Sequence, residues 1–176
     1  MTERKLVLYI AMSLDGYIAA PGDDLSFLSA VQQEGEDYGY ANFINTVDTV
    51  ILGRRTYDWV MTQVNEFPHA DKETYIITRT ARSAIGNVQF YTGKLSELIT
   101  MLKKRPGKTI FCDGGAAVVN NLLENRLIDE FIISVIPILL GKGTRLFQED
   151  KPEQLLTLTE SRQFASGLVQ LHYRRQ

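Results

Sequence analysis

One cysteine, two histidines and the lack of any long apolar run set the first limits on this chain. With Cys112 alone, no intramolecular disulfide can form. The segment Thr109-Ile110-Phe111-Cys112 reads as a buried strand, which makes the thiol a core residue; as a nucleophile it would lack an activating histidine nearby. His69 and His172 stand far apart and share no ligand spacing, so no metal site is expected. The net charge is -2, and Lys and Arg form no run. This argues against nucleic acid as the main partner. The run Leu6 to Met12 is too short to span a membrane and carries no cleavage pattern. The expectation is a cytoplasmic protein with no membrane partner. A Gly-x-Gly-x-x-Gly signature after the first strand is missing too. Ala11-Met12-Ser13-Leu14-Asp15-Gly16 stands in its place, which disfavours a Rossmann domain.

What is present suits one globular domain over residues 1–176. Apolar residues make up 44% and charged residues 23% of 176. A core of that size buries roughly 70% of the unfolded chain's surface. Leu6–Met12 has the continuous apolar character of a strand covered on both faces. Asp23 or Asp24 is placed to cap a helix over Leu25 to about Gln33, and a second helical stretch is predicted near Tyr38 to Asn45. Strands are predicted at Thr49–Leu52, Thr74–Thr78, Val88–Tyr91 and Thr109–Cys112, with helices starting after Gly53, at Leu95 and at about Ala116. Ile128 to Leu140 is strand-like but broken at Pro137. The alternating segments around Ala165-Ser166-Gly167 predict a hairpin. Strands that alternate with helices and end in a hairpin give an α/β fold: a mostly parallel central sheet, helices on both faces, and a C-terminal antiparallel hairpin.

Three strand ends carry residues able to hold a ligand, as strand carboxyl ends do in open α/β sheets. At Leu52-Gly53-Arg54-Arg55-Thr56, a glycine turn leads into a helix start with two guanidinium groups and a hydroxyl. Read as a ligand site, it suits a ribose 2′-phosphate and so favours NADPH over NADH. Read locally, it is a solvated helix start with two surface arginines. At Asp113-Gly114-Gly115-Ala116, paired glycines leave room for a pyrophosphate or simply make a turn. Thr78-Arg79-Thr80 is either a contact for the adenosine end or a polar loop.

Taken together and in order, Ala11–Ala19, Leu52–Tyr57, Asp113–Gly115 and Ile128–Phe147 resemble the dihydrofolate-reductase-like superfamily. The similarity is closest to its branch containing the reductase domain of the bifunctional riboflavin-biosynthesis deaminase/reductase, here in stand-alone form. The resemblance covers nearly the whole chain. It implies a three-layer fold with NADPH lying across the strand ends. Ala11 would lie near the nicotinamide. Gly53, Arg54, Arg55 and Thr56 would hold the adenosine side and its 2′-phosphate. Thr78 and Arg79 would sit by the adenine ribose, and Gly114, Gly115 and Ala116 would bind the pyrophosphate. It also implies a homodimer and a small heterocyclic substrate resembling 5-amino-6-(5-phosphoribosylamino)uracil.

Two carboxylates are candidates for the chemistry. Asp15 ends the first strand beside the expected nicotinamide, as a catalytic group or as a turn residue before Gly16. Asp113 occupies the acidic position that, in the riboflavin branch, lies near substrate. Asp23, Asp24, Glu34, Glu36 and Asp37 occupy the region where folate reductases carry a pterin-binding carboxylate, but none matches that pattern clearly. Three readings therefore stand: a riboflavin-type reductase, a pterin or dihydrofolate reductase, and a non-catalytic nucleotide-binding scaffold.

Overall fold

The computed structural model describes residues 4–176. Ten strands and four helices follow in order: β1 (Leu6–Ser13), β2 (Tyr17–Ala19), α1 (Tyr40–Ile44), β3 (Val47–Gly53), α2 (Arg54–Gln63), β4 (Glu73–Ile77), β5 (Val88–Tyr91), α3 (Leu95–Lys104), β6 (Thr109–Gly114), α4 (Ala116–Glu124), β7 (Glu130–Ile136), β8 (Thr144–Arg145), β9 (Leu156–Gln163) and β10 (Val169–Arg175). A 3₁₀ helix, Ser26–Val31, lies between β2 and α1.

Eight strands form one sheet in the order β5-β4-β3-β6-β1-β7-β10-β9. From β5 to β7 every pairing is parallel, whereas β10 runs antiparallel to both β7 and β9. This is the parallel sheet and terminal hairpin that the sequence predicts. Pro137 follows the last residue of β7, as a residue without a ladder N–H should.

Both faces of the sheet are covered. Ile51, Ile110 and Cys112 point to one face and pack with Leu98, Leu102, Val119 and Leu122 of α3 and α4. Val50, Leu52 and Phe111 point to the other and pack with Tyr57 of α2 and with Phe43 and Ile44 of α1. The alternation is the period-2 geometry of a strand. Ile51, Leu52, Ile110, Leu102 and Leu122 are fully buried. Each such side chain contributes about 1.5–3 kcal/mol of transfer free energy. Helix α3 also complements its own dipole, with Glu97 in the first turn and Lys103 and Lys104 in the last.

Three local expectations change. The predicted helix over Leu25 to Gln33 is the shorter 3₁₀ segment, started by Asp24, whose carboxylate accepts the Ser26 N–H at 2.8 Å. The Tyr38–Asn45 stretch loses its first turn, because Tyr38 and Gly39 both adopt positive φ (56° and 83°). An unforeseen two-stranded antiparallel sheet joins β2 to β8. No helix among the described residues is long and apolar enough to cross a membrane.

Candidate functional site

Strands β3 and β6 are neighbours, and Leu52 pairs with Gly114 near their carboxyl ends. Helix α2 starts directly after β3 and covers one face, while α4 starts one residue after β6 and covers the other. Their N-termini therefore meet across a single strand gap. Neither helix start has a side-chain cap, so its first amides keep their donors for another acceptor.

The two turns touch. Gly114 and Gly115 adopt φ of 113° and 85°, a region that favours glycine. A Cβ on Gly115 would lie 3.1 Å from Thr56 Oγ1 and 3.7 Å from Gly53 Cα. One on Gly53 would meet Val118 Cγ2 at 3.4 Å. The absent side chains leave a floor of bare backbone between two helix starts. Ile77 pairs with Gly53, which puts Thr78 at the same edge. The Thr78 hydroxyl accepts the Thr80 N–H at 3.1 Å and so shapes its own turn.

The arginines are engaged with carboxylates. Arg54 lies 3.3 Å from Asp58, which also meets Arg82 at 3.0 Å. Arg55 reaches Asp23 at 2.7 Å, and Arg79 is exposed. Ala11 sits in β1 opposite Ser134 and packs beneath the 3₁₀ helix, beside Phe27 and Val31. The β1 residue that faces the glycine pair is Ile10, whose Cδ1 lies 3.1 Å from where a Gly114 Cβ would stand.

Both carboxylate oxygens of Asp15 are hydrogen-bonded. One carboxylate oxygen accepts the Ser13 hydroxyl at 2.5 Å and the Leu140 N–H at 3.1 Å, and the other accepts the Gly141 N–H at 2.7 Å. These bonds, led by that from Ser13, hold its pKa down to about 2. Around it, Tyr17 donates to the Gly141 carbonyl at 3.3 Å, and Arg145 stacks over the Tyr17 ring at 4.9 Å. Asp15 thus ties the turn after β1 to the segment after β7, which fits the turn alternative.

Asp113 is partly open to solvent and lies 3.7 Å from the Nε2 of His69, a buried residue of the loop between α2 and β4. The Tyr40 phenol is pushed up by burial and, next, by the charge of Asp113. Sequence patterns missed both His69 and Tyr40. The segment around His69 has no periodicity, and only the fold brings it to β6. Cys112 is fully buried, and burial pushes its thiol up to about 12, as suits core packing. Two of the candidate pterin carboxylates are spent locally: Asp37 accepts the Gly39 and Ala41 N–H groups, and Glu36 accepts that of Tyr38.

The family model described as RibD C-terminal domain matches residues 4–170. The chain belongs to that family. A relative within reach of direct alignment is the uncharacterized protein YwjB of Bacillus subtilis (strain 168), 44% identical over 97% of this chain and 98% of its own length. Among solved structures, a Shewanella sp. PV-4 protein named provisionally for riboflavin biosynthesis is 30% identical, covering 98% of this chain and 99% of that one, with a TM-score of 0.88. Dihydrofolate reductase from Enterococcus faecalis, solved with NADP(H) and RAB-propyl, is 16% identical over 97% of this chain and 96% of that one, with a TM-score of 0.66. Members of the RibD C-terminal domain family and dihydrofolate reductase thus share this architecture, and the fold is dihydrofolate-reductase-like as the motifs imply.

Proposed function

We propose that the chain is an NADPH-dependent reductase of a small heterocycle, resembling 5-amino-6-(5-phosphoribosylamino)uracil reductase. The observation that carries this reading is the meeting of two uncapped helix starts over the Gly53–Gly115 contact. Free amides and a side-chain-free floor fit a pyrophosphate, since anions bind where helix dipoles and unpaired N–H groups converge. The E. faecalis enzyme of the same fold was solved with NADP(H). Here Gly53, Thr56, Gly114, Gly115 and Ala116 would hold the pyrophosphate side. Arg54 and Arg55 would take the 2′-phosphate in exchange for their present carboxylate partners. Thr78 and Arg79 would border the adenine ribose, and Ala11 the nicotinamide.

The bound cofactor would supply hydride. The chain's own task is then orientation, exclusion of water and proton placement. Asp113 is the carboxylate we assign to the substrate, as it lies partly open at the end of β6, one residue before the glycine pair. Asp15 enters as the clamp that fixes the rim beside β1. Four of the five carboxylates in the pterin region are engaged within this chain, Asp24, Glu36 and Asp37 by backbone N–H groups and Asp23 by Arg55, which disfavours the pterin alternative. Strand β9, at the end of the sheet, offers its outer edge to a second copy, and we include a homodimer in the proposal.

Titration of the purified protein with NADPH and NADH, followed by NADPH oxidation with the aminouracil compound as probe, tests the reading. Selective NADPH binding with turnover supports it. Equal or absent binding of both cofactors overturns it, and binding without turnover favours the non-catalytic scaffold.

A further inference from the structure

His69 is the least explained polar residue at the carboxyl edge. Its side chain is 8% exposed, against 30% for Asp113. Burying an imidazole without a polar partner is costly. Phe67 and Phe111 stand edge-on to the ring, with centroids at 5.4 and 5.9 Å and interplanar angles of 81° and 85°. Walls at those angles leave the ring little freedom to swing. Its Nε2 faces Asp113 Oδ2 at 3.7 Å, beyond hydrogen-bond range by under 1 Å. The charge of Asp113 also acts on the Tyr40 phenol of α1. Asp113 itself precedes two glycines of positive φ. The imidazole is thus enclosed between aromatic rings, and the carboxylate is the more exposed member of the pair. Hydrogen bonds at a reacting site are often long before a ligand closes it.

We propose that His69 is a positioning residue for Asp113: its Nε2–H fixes one carboxylate oxygen and leaves the other aimed at an N–H of a heterocyclic substrate. This rests on the reading of Asp113 as the substrate-facing carboxylate. A carboxylate held in one orientation selects a ligand that presents a planar N–H donor, such as an aminopyrimidine, over one that presents only acceptors. Proteins orient functional side chains through such outer partners, and their loss commonly costs about 10–100-fold.

The chain has only two histidines, so ¹⁵N imidazole spectra of the whole protein hold two ring systems, and His172→Gln identifies them. The expected result is a proton on His69 Nε2, with both ring ¹⁵N shifts moved by Asp113→Ala. A ring protonated on Nδ1 alone, or shifts that ignore Asp113→Ala, overturns the proposal. His69→Phe keeps the aromatic packing and removes the donor. With the aminouracil probe it is expected to lower kcat tenfold or more while leaving NADPH affinity unchanged. Retention of wild-type kcat overturns the proposal. If the wild-type protein does not turn over the probe, the functional reading fails, and the spectra alone still decide the pairing.

Discussion

Asp23 and Arg55 meet at 2.7 Å, joining the loop after β2 to the first turn of α2. Both side chains are largely exposed, so the pair adds only about 0–1 kcal/mol of stability. Its consequence lies in binding. The guanidinium proposed for the 2′-phosphate carries a carboxylate here, which the dianion would have to displace. Asp23→Asn removes that competitor and is expected to tighten NADPH binding while leaving NADH unchanged. Arg54→Ala with Arg55→Ala is expected to cost about 2–4 kcal/mol of NADPH binding and to abolish the preference over NADH. Fluorescence titration with both cofactors reads each effect, and a double variant with wild-type NADPH affinity would sink the assignment.

A Cβ at Gly115 would crowd Thr56 and also occupy a φ that L-residues seldom adopt. Gly115→Ala is therefore expected to lose about 1–3 kcal/mol of stability from backbone strain. It should also weaken NADPH binding by spreading the two helix starts. Gly86→Ala is the control, because Gly86 has a positive φ of 57° with nothing within 4 Å of its Cβ position. Denaturant midpoints should fall in both variants, and NADPH affinity only in the first. Equal NADPH affinity in both would place the pyrophosphate elsewhere.

The contrast between Gly115 and His69 shows what a linear pattern can carry. Apolar runs such as Thr49–Leu52 and the spacing Leu95, Leu98, Ile99, Leu102 report local burial directly, so the succession of strands along the chain and α3 are legible. Glycine turns at strand ends mark the candidate site because a strand-to-helix junction is itself local. The β2–β8 pairing is not legible, because three residues and two residues give no period and join across more than a hundred positions. Asp15 finds its partners at Leu140 and Gly141, and His69 finds Asp113, only after the sheet has formed. Chain order holds no trace of either.

Replacing the Asp15 carboxylate should unfasten the rim it clamps. Asp15→Asn keeps the size of the side chain but cannot accept on both arms, and it is expected to lower the denaturant midpoint at neutral pH. The pH dependence has a definite sign. In the folded state the carboxyl stays ionised down to about 2, whereas an unfolded aspartate takes its proton at about 3.9. A depressed folded value stabilises above the unfolded value, and that contribution is lost as pH falls from about 4 through about 2. The difference between wild type and Asp15→Asn should therefore be full at pH 7 and shrink toward pH 2. A gap that stays constant with pH would mean that the carboxylate is not the clamp.

Strand β9 ends the sheet, and all eight of its residues are exposed. Next to and within it, Leu155 (65% exposed) and Leu158 (51%) put apolar surface on a strand whose outer edge has unpaired N–H and C=O groups. No proline interrupts Leu156–Gln163. Long open edges of this kind invite pairing with another chain, and proteins usually blunt them with charge or cover them. A second β9 laid antiparallel across a two-fold axis would satisfy both sets of groups at once, since such an interface uses the same patch on each copy. Sedimentation velocity of the full chain at micromolar concentration should show a dimer. Leu156→Lys with Leu158→Lys should shift it to monomer without altering NADPH affinity, as β9 lies at the opposite side of β1 from the glycine turns. A wild-type protein that sediments as a monomer would leave the β9 edge uncovered and the homodimer refuted.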